Sequence, residues 1–163
     1  MKLAAGIRAA QASGDLKPLI GMAPYFRWLG LRAEWREKNH DGKHGGKQDD
    51  GKEGEQDSEI ITILPFQDML IGNPMLPALH GGVTGALLES AAMMSLIGTM
   101  KQPNLPRIIN ITVEYLRPGR PEDCFATGIV TKQGRRVATV RAMAWQRDRE
   151  KLFATASAHF MMT

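Results

Sequence analysis

The chain has 163 residues, of which 43% are hydrophobic and 23% charged, and this balance predicts one globular domain over residues 1–163 rather than a disordered chain. Its single cysteine, Cys124, excludes an intrachain disulfide, and together with the lack of a convincing targeting signal it predicts a cytoplasmic protein. The net charge of +4 comes from residues 101–163, which contain 11 Lys and Arg against 5 Asp and Glu. This positive charge could attract a phosphate-bearing ligand or nucleic acid, although no nucleic-acid motif occurs, and a solvated basic surface explains it at least as well.

The first 29 residues are predicted to form an N-terminal helical segment. Residues 1–12 suit a short surface helix, and the apolar residues from 16 to 26 recur at helical spacing. Pro24 should kink or end this second helix, and Gly30 should close it. Residues 31–36 then alternate between apolar and charged side chains, which predicts a half-buried strand.

Residues 39–58 contain no apolar side chain, and they are predicted to form a flexible loop because they cannot bury a core face. His40 and His44 lie in this loop, but nothing fixes them as metal ligands, so no metal site is expected. Residues 59–66 are predicted to resume as a strand.

A long apolar helix is predicted over residues 82–98. Glu89 is the only Asp, Glu, Lys or Arg between Asp68 and Lys101, so its carboxylate must face water, find a partner or serve a site. The uncharged stretch over residues 69–88 is long enough to span a membrane, but it contains two prolines, four glycines, Asn73 and His80. We therefore expect no membrane span.

His80, Gly81 and Gly82 precede this helix, whose first amides have no internal partner and would stabilise a negative or polarised oxygen. A glycine-rich loop before a core helix explains the same residues equally well. His80 and Glu89 are nine residues apart, which places them on opposite sides of a helix and about 13 Å apart along it. If both are functional, the simplest arrangement brings them together from two chains across a two-fold axis.

Four strands are predicted after the helix, over residues 109–115, 124–132, 135–145 and 152–161, separated by turns. One antiparallel sheet with a long apolar helix packed on its face satisfies this order, so the fold class is α+β.

Three segments carry a resemblance to a known family. Residues 79–91 read LHGGVTGALLESA, residues 111–119 read ITVEYLRPG, and residues 152–156 read LFATA. With these segments in this order, the chain resembles the PaaI-like acyl-CoA thioesterases of the hot dog fold superfamily over roughly residues 18–162. The resemblance implies an antiparallel sheet wrapped around one central helix. It also implies hydrolysis of an acyl-CoA to free acid and CoA by a homodimer or homotetramer.

The resemblance also implies roles for individual residues. In the family, an acid nine positions after the histidine is nucleophile or general base, which points to Glu89, and the first glycine amide polarises the thioester carbonyl, which points to Gly81. The histidine, here His80, orients the carbonyl or substrate. Ser90, next to the acid, would help to place water, and Asn73 is the nearest match to the family's asparagine, although its spacing is one residue longer.

The acyl-CoA would bind along the helix and the N-terminal segment, with Gly82, Phe26 and Met93 as candidate contacts. Arg135 and Arg136, after the Gly134 turn, are candidates for the CoA phosphates, with Arg107, Arg117 and Arg120 as rivals. The alternative is that all five are solvated surface residues. CoA is part of the substrate, so no cofactor is expected. A non-catalytic acyl-CoA binding protein is the alternative, because one fold can host several functions.

Overall fold

The structure is a computed structural model that describes residues 2–37, 58–100 and 105–162. The predicted loop 39–58 lies outside the described residues except for Ser58, which begins a strand. The helices are α1 (Lys2–Ser13), α2 (Lys17–Met22), α3 (Pro24–Trp28) and α4 (Gly81–Thr99). The strands are β1 (Arg32–Glu37), β2 (Ser58–Leu64), β3 (Ile71–Asn73), β4 (Ala78–Leu79), β5 (Arg107–Tyr115), β6 (Cys124–Gln133), β7 (Val137–Trp145) and β8 (Ala154–Met161).

Six of the strands in the described ranges form one antiparallel sheet in the order β1-β2-β6-β7-β8-β5. The four strands predicted after the helix are confirmed as β5 to β8, and those predicted at 31–36 and 59–66 as β1 and β2. The strand β5 lies at one end of this order, with β8 as its neighbour. The predicted α+β class is confirmed.

The helix α4 packs on one face of the sheet, chiefly against β6, β2 and β7. The sheet meets the helix with small side chains, and at Gly128 an added Cβ would lie 3.0 Å from Ser95 Oγ and 3.1 Å from Ala92 Cα. The Gly128 N–H donates to Ser95 Oγ at 3.0 Å, which the close approach makes possible. The predicted helix is confirmed and extends one residue further at each end. Although α4 is long and apolar enough to cross a membrane, 61% of its apolar window is buried in the protein, as in a core helix.

The N-terminal helices follow the prediction with one difference. The second helical stretch divides at Ala23, because Pro24 begins α3, and Gly30 ends the segment with a φ of +69°. The helix α1 is not a purely surface helix, since Ile7 and Ala10 are fully buried. It therefore contributes to the hydrophobic core.

The sequence did not predict the small β3–β4 hairpin that leads into α4. Asn73 forms its turn, and its Oδ1 accepts from the N–H groups of Met75 at 3.0 Å and Leu76 at 3.3 Å. The backbone is held from both sides, because the Leu79 N–H donates to the Gly119 carbonyl and the His80 N–H to the Leu70 carbonyl, each at 2.9 Å. This hairpin fixes where α4 begins.

Candidate active site

His80 is the N-cap of α4. Its Nδ1 accepts from the Gly82 N–H at 2.9 Å, and its carbonyl oxygen accepts from the N–H groups of Val83 and Thr84 at 3.0 and 3.2 Å. The Gly82 and Val83 amides, which have no carbonyl one turn earlier in the helix, are thereby satisfied, and the Thr84 N–H makes the first regular bond of the helix. Because Nδ1 accepts a hydrogen bond, the proton of the neutral imidazole is on Nε2, and the exposed ring can donate outward.

The remaining amide of this turn belongs to Gly81. Its N–H has no hydrogen-bond partner in the part of the chain that the structure describes. The first turn of α4 carries no acidic residue, so the partial positive charge of the helix N-terminus is not offset there. The Gly81 N–H is therefore the group in this turn best placed to donate to a developing oxyanion.

Tyr115, the last residue of β5, contacts the first turn of α4 at Gly81. Its O–H donates to the Gly81 carbonyl at 2.9 Å. A Cβ added at Gly81 would lie 3.3 Å from Tyr115 Oη and 3.4 Å from Cζ, so glycine allows this close approach. Sequence reasoning missed Tyr115 as a site residue. The available signal was its alternation with Ile111 and Val113, which share one face of the strand.

Glu89 lies on the half-open side of α4. Gly82, Ala86, Glu89 and Met93 fall within about 60° around the helix. They remain partly or fully accessible, whereas Leu87, Leu88 and most other positions from 84 to 97 are buried. Burial raises the pKa of the Glu89 carboxyl above its ordinary value. The carboxylate has no hydrogen bond or ion pair among the described residues, so it is a partly desolvated and unengaged base.

The spacing of Gly81 and Glu89 along α4 limits how the two residues of one chain can act on the same substrate. The helix is continuous from Gly81 to Thr99, so the α-carbons of Gly81 and Glu89 are about 12 Å apart along the axis. Helical side chains lean toward the N-terminus, but a glutamate reaches only about 4–5 Å, so a gap of about 7 Å remains. A single thioester carbon cannot lie about 3 Å from both groups of one chain, so direct attack by Glu89 on a carbonyl bound to Gly81 requires a second chain.

A cleft of about 420 Å³ opens beside the helix N-terminus. Its walls come from β4, the first turn of α4 and the segment 115–119, and they include Gly81, Thr84, Arg117 and Phe153. Thr84 is only 4% exposed, and its hydroxyl has no hydrogen-bond partner among the described residues. Thr84 is a second lining residue that sequence reasoning missed, and its position one turn after His80 was the available signal.

The other predicted catalytic residues are differently placed. Ser90 is fully buried, and its hydroxyl donates to the Ala86 carbonyl at 2.6 Å. The structure therefore turns Ser90 away from the accessible side of α4 that carries Glu89, because neighbours on a helix differ by about 100°. The Asn73 oxygen is engaged in the β3–β4 turn, and the side chain is exposed.

The predicted substrate contacts lie in two regions. Gly82 is exposed beside His80, while Phe26 and Met93 are partly buried and pack against the core. Arg135 and Arg136 are exposed in the β6–β7 turn. That turn lies near the C-terminal end of α4, where the Thr99 hydroxyl donates to Gln133 Oε1 at 3.4 Å. The two arginines are thus far from Gly81 in the same chain.

No group of three His, Cys, Asp or Glu close enough to hold a metal occurs within residues 2–37, 58–100 and 105–162, and His40 and His44 lie outside these ranges. Cys124 is fully buried on β6, and burial raises the pKa of its thiol to about 12. A thiol with this pKa is not a nucleophile at neutral pH.

Three comparisons place this geometry among known proteins. Residues 72–161 match the family described as acyl-CoA thioesterase N-terminal domain. The chain is 31% identical over 127 residues to the medium/long-chain acyl-CoA thioesterase YigI of Escherichia coli, covering 69% of this chain and 81% of that protein. A crystal structure from Chromobacterium violaceum is 33% identical, covers 96% of both chains and has a TM-score of 0.66. A phenylacetic acid degradation-related protein from Ralstonia eutropha is 25% identical, with a TM-score of 0.57 over 63% of this chain and 75% of that one.

Proposed function

Because the chain belongs to the acyl-CoA thioesterase family, in the PaaI-like group with the hot dog fold, we propose that it hydrolyses acyl-CoA with Glu89 of one protomer and Gly81 of another. That the protein is an acyl-CoA thioesterase follows from the family. The division of labour between two chains is our proposal. It rests on the spacing of Gly81 and Glu89 on one continuous helix, which is too long for the Glu89 carboxylate to attack a carbonyl bound to Gly81 of the same chain.

In the proposed mechanism, the thioester carbonyl oxygen accepts the Gly81 N–H. The Glu89 carboxylate takes a proton from a water molecule whose oxygen attacks the carbonyl carbon. The tetrahedral oxyanion is stabilised by the Gly81 N–H and the N-terminus of α4. Its collapse breaks the C–S bond, the CoA thiolate takes the proton from Glu89, and the free acid leaves. Direct attack by Glu89 through an anhydride gives the same products.

The site lies where a second copy of the chain can complete it. The strand β5 ends the sheet, and its Ile108 and Ile109 are exposed. A terminal strand with exposed apolar side chains favours pairing with another strand. Pairing of two β5 strands across a two-fold axis would extend the sheet through a homodimer. We propose that this dimer brings the accessible side of each α4 toward the partner's residues.

A subunit-mixing experiment tests the shared site. Glu89→Gln removes the base, and Gly81→Pro removes the oxyanion donor at the first helical position, where proline is best tolerated. Gly81→Ala is the matched control, because it crowds Tyr115 in the same way but keeps the N–H. We expect each of the first two variants alone to lose about 10²-fold or more in kcat.

Co-refolding Glu89→Gln with Gly81→Pro should restore about a quarter of wild-type activity, because half of the dimers are mixed and one of their two sites is intact. If each site used both residues of one chain, the mixture would stay inactive. An active Glu89→Gln homodimer would instead overturn the role of Glu89.

The acyl chain is proposed to be of medium or long length. This rests on the similarity to YigI, named for such substrates, and on the apolar side chains of Phe26 and Met93. A panel from acetyl-CoA to long-chain acyl-CoA should give kcat/KM values that rise with chain length. A maximum at acetyl-CoA would contradict this proposal.

The single buried cysteine also supports our proposal of a cytoplasmic location.

A further inference from the structure

An uninterrupted set of hydrogen bonds connects Tyr115 to His80. The Tyr115 O–H donates to the Gly81 carbonyl, and the N–H of the same peptide group, which belongs to Gly82, donates to His80 Nδ1. Both distances are 2.9 Å. Donation to the carbonyl polarises the peptide group and makes its N–H a stronger donor, because hydrogen bonds in series reinforce one another.

The peptide group in the middle needs such support. It joins Gly81 and Gly82, and two consecutive glycines leave its orientation less restricted by sterics than any other pair would. Tyr115 fixes one side of this group and His80 the other. The Tyr115 residue is 58% exposed, so its position is not explained by burial of the ring. Its hydroxyl contact with Gly81 is the specific interaction that it makes with the site.

We propose that Tyr115 is a positioning residue for hydrolysis, acting through the Gly81–Gly82 peptide group on His80. It holds the imidazole as the Nε2–H tautomer, with Nδ1 occupied and Nε2–H directed at the substrate. The inference rests on the proposed function, in which His80 orients the thioester. In this proposal β5, which ends the sheet, also contributes a residue to the active site.

The test is a double-mutant cycle on hydrolysis. Tyr115→Phe removes only the hydroxyl, and we expect kcat to fall about 3- to 10-fold with KM nearly unchanged, the effect of one lost hydrogen bond. In a His80→Ala background the same substitution should change kcat by less than about 2-fold, because the group through which it acts is gone. Tyr25→Phe is the matched control, since Tyr25 is the only other tyrosine and is also exposed.

The imidazole itself gives a second measurement. Nitrogen-15 spectra of the wild type should show His80 with an unprotonated Nδ1 and a protonated Nε2, assigned by their loss in His80→Ala. In Tyr115→Phe the Nδ1–H tautomer should appear. A purely structural role for Tyr115 would lower the melting temperature without changing the tautomer.

Two results would overturn the inference. One is an equal loss of activity for Tyr115→Phe in the wild-type and His80→Ala backgrounds, and the other is unchanged activity and tautomer in Tyr115→Phe. Glu89→Gln, measured in the same assay, separates this inference from the proposed function. An active Glu89→Gln enzyme contradicts the Glu89 mechanism, while the Tyr115–His80 coupling is still decided by the cycle.

Discussion

A methyl group added at Gly82 should separate activity from stability. In Gly82→Ala the new Cβ would lie 3.0 Å from His80 Nδ1 and 3.2 Å from Cε1, so the exposed imidazole must move. Loss of the cap hydrogen bond costs about 1 kcal/mol, whereas replacing a helical glycine by alanine gains about 1 kcal/mol. The two contributions offset each other, so the free energy of unfolding should stay within about 0.5 kcal/mol of the wild type.

Activity should not be preserved in the same way. The displaced ring can no longer present Nε2–H to the thioester, and we expect kcat/KM to fall about tenfold or more. Gly85→Ala is the control, because its Cβ would meet Val113 Cγ2 at an ordinary 4.0 Å and leave His80 untouched. It should gain about 0.5–1 kcal/mol in stability.

Urea unfolding followed by tryptophan fluorescence gives the free energies, and the release of CoA thiol gives the rates. The reasoning would be refuted if Gly82→Ala kept full activity. A loss of several kcal/mol in Gly82→Ala would also contradict it, because then the helix N-terminus rather than the imidazole would have moved.

Three further predictions concern other parts of the molecule. Since burial raises the pKa of Glu89 above 4.5, kcat/KM should rise with pH through an inflection above 4.5. In urea unfolding at a series of pH values, Glu89→Gln should become more stable than the wild type as the pH rises through that inflection. The difference in stability should vanish below pH 4.5. Gly128→Ala should cost about 1–3 kcal/mol, measured by urea unfolding, because its Cβ would lie 2.9 Å from Val140 Cγ1. Arg117→Glu and Arg135→Glu should each be compared on acyl-CoA and acyl-pantetheine, and a rise in KM on acyl-CoA alone identifies the arginine that meets the nucleotide phosphates.

Local patterns in the sequence were sufficient for the regular elements. The helix at 82–98, the division at Pro24 and the four strands after the helix follow from periodicity and from proline and glycine, which act within a few residues. The β3–β4 hairpin was missed because it has two very short strands and two prolines in its turn, so it shows no alternation to detect.

The predicted role of Ser90 depends on where its hydroxyl points, which resemblance does not show. The family pattern places a hydroxyl next to the acid, but only the packing of α4 decides where that hydroxyl points, and here it donates into the preceding turn. The contact between Tyr115 and Gly81 joins residues 34 positions apart. Alternation along β5 indicates which face of the strand Tyr115 shares, but only the tertiary structure brings that residue to Gly81.

The amino-acid pattern alone shows that an apolar helix carrying one carboxylate follows a His-Gly-Gly segment. It could not determine which side of that helix is open, because Gly82, Ala86 and Met93 are as apolar as the residues that are buried. The sheet decided this, since β6, β2 and β7 cover one side of α4, while Gly82, Ala86 and Met93 keep at least partial access beside Glu89. The buried side of a helix depends on which neighbours pack against it. When a helix is apolar nearly all round, its sequence does not indicate that side, and only the tertiary structure shows it.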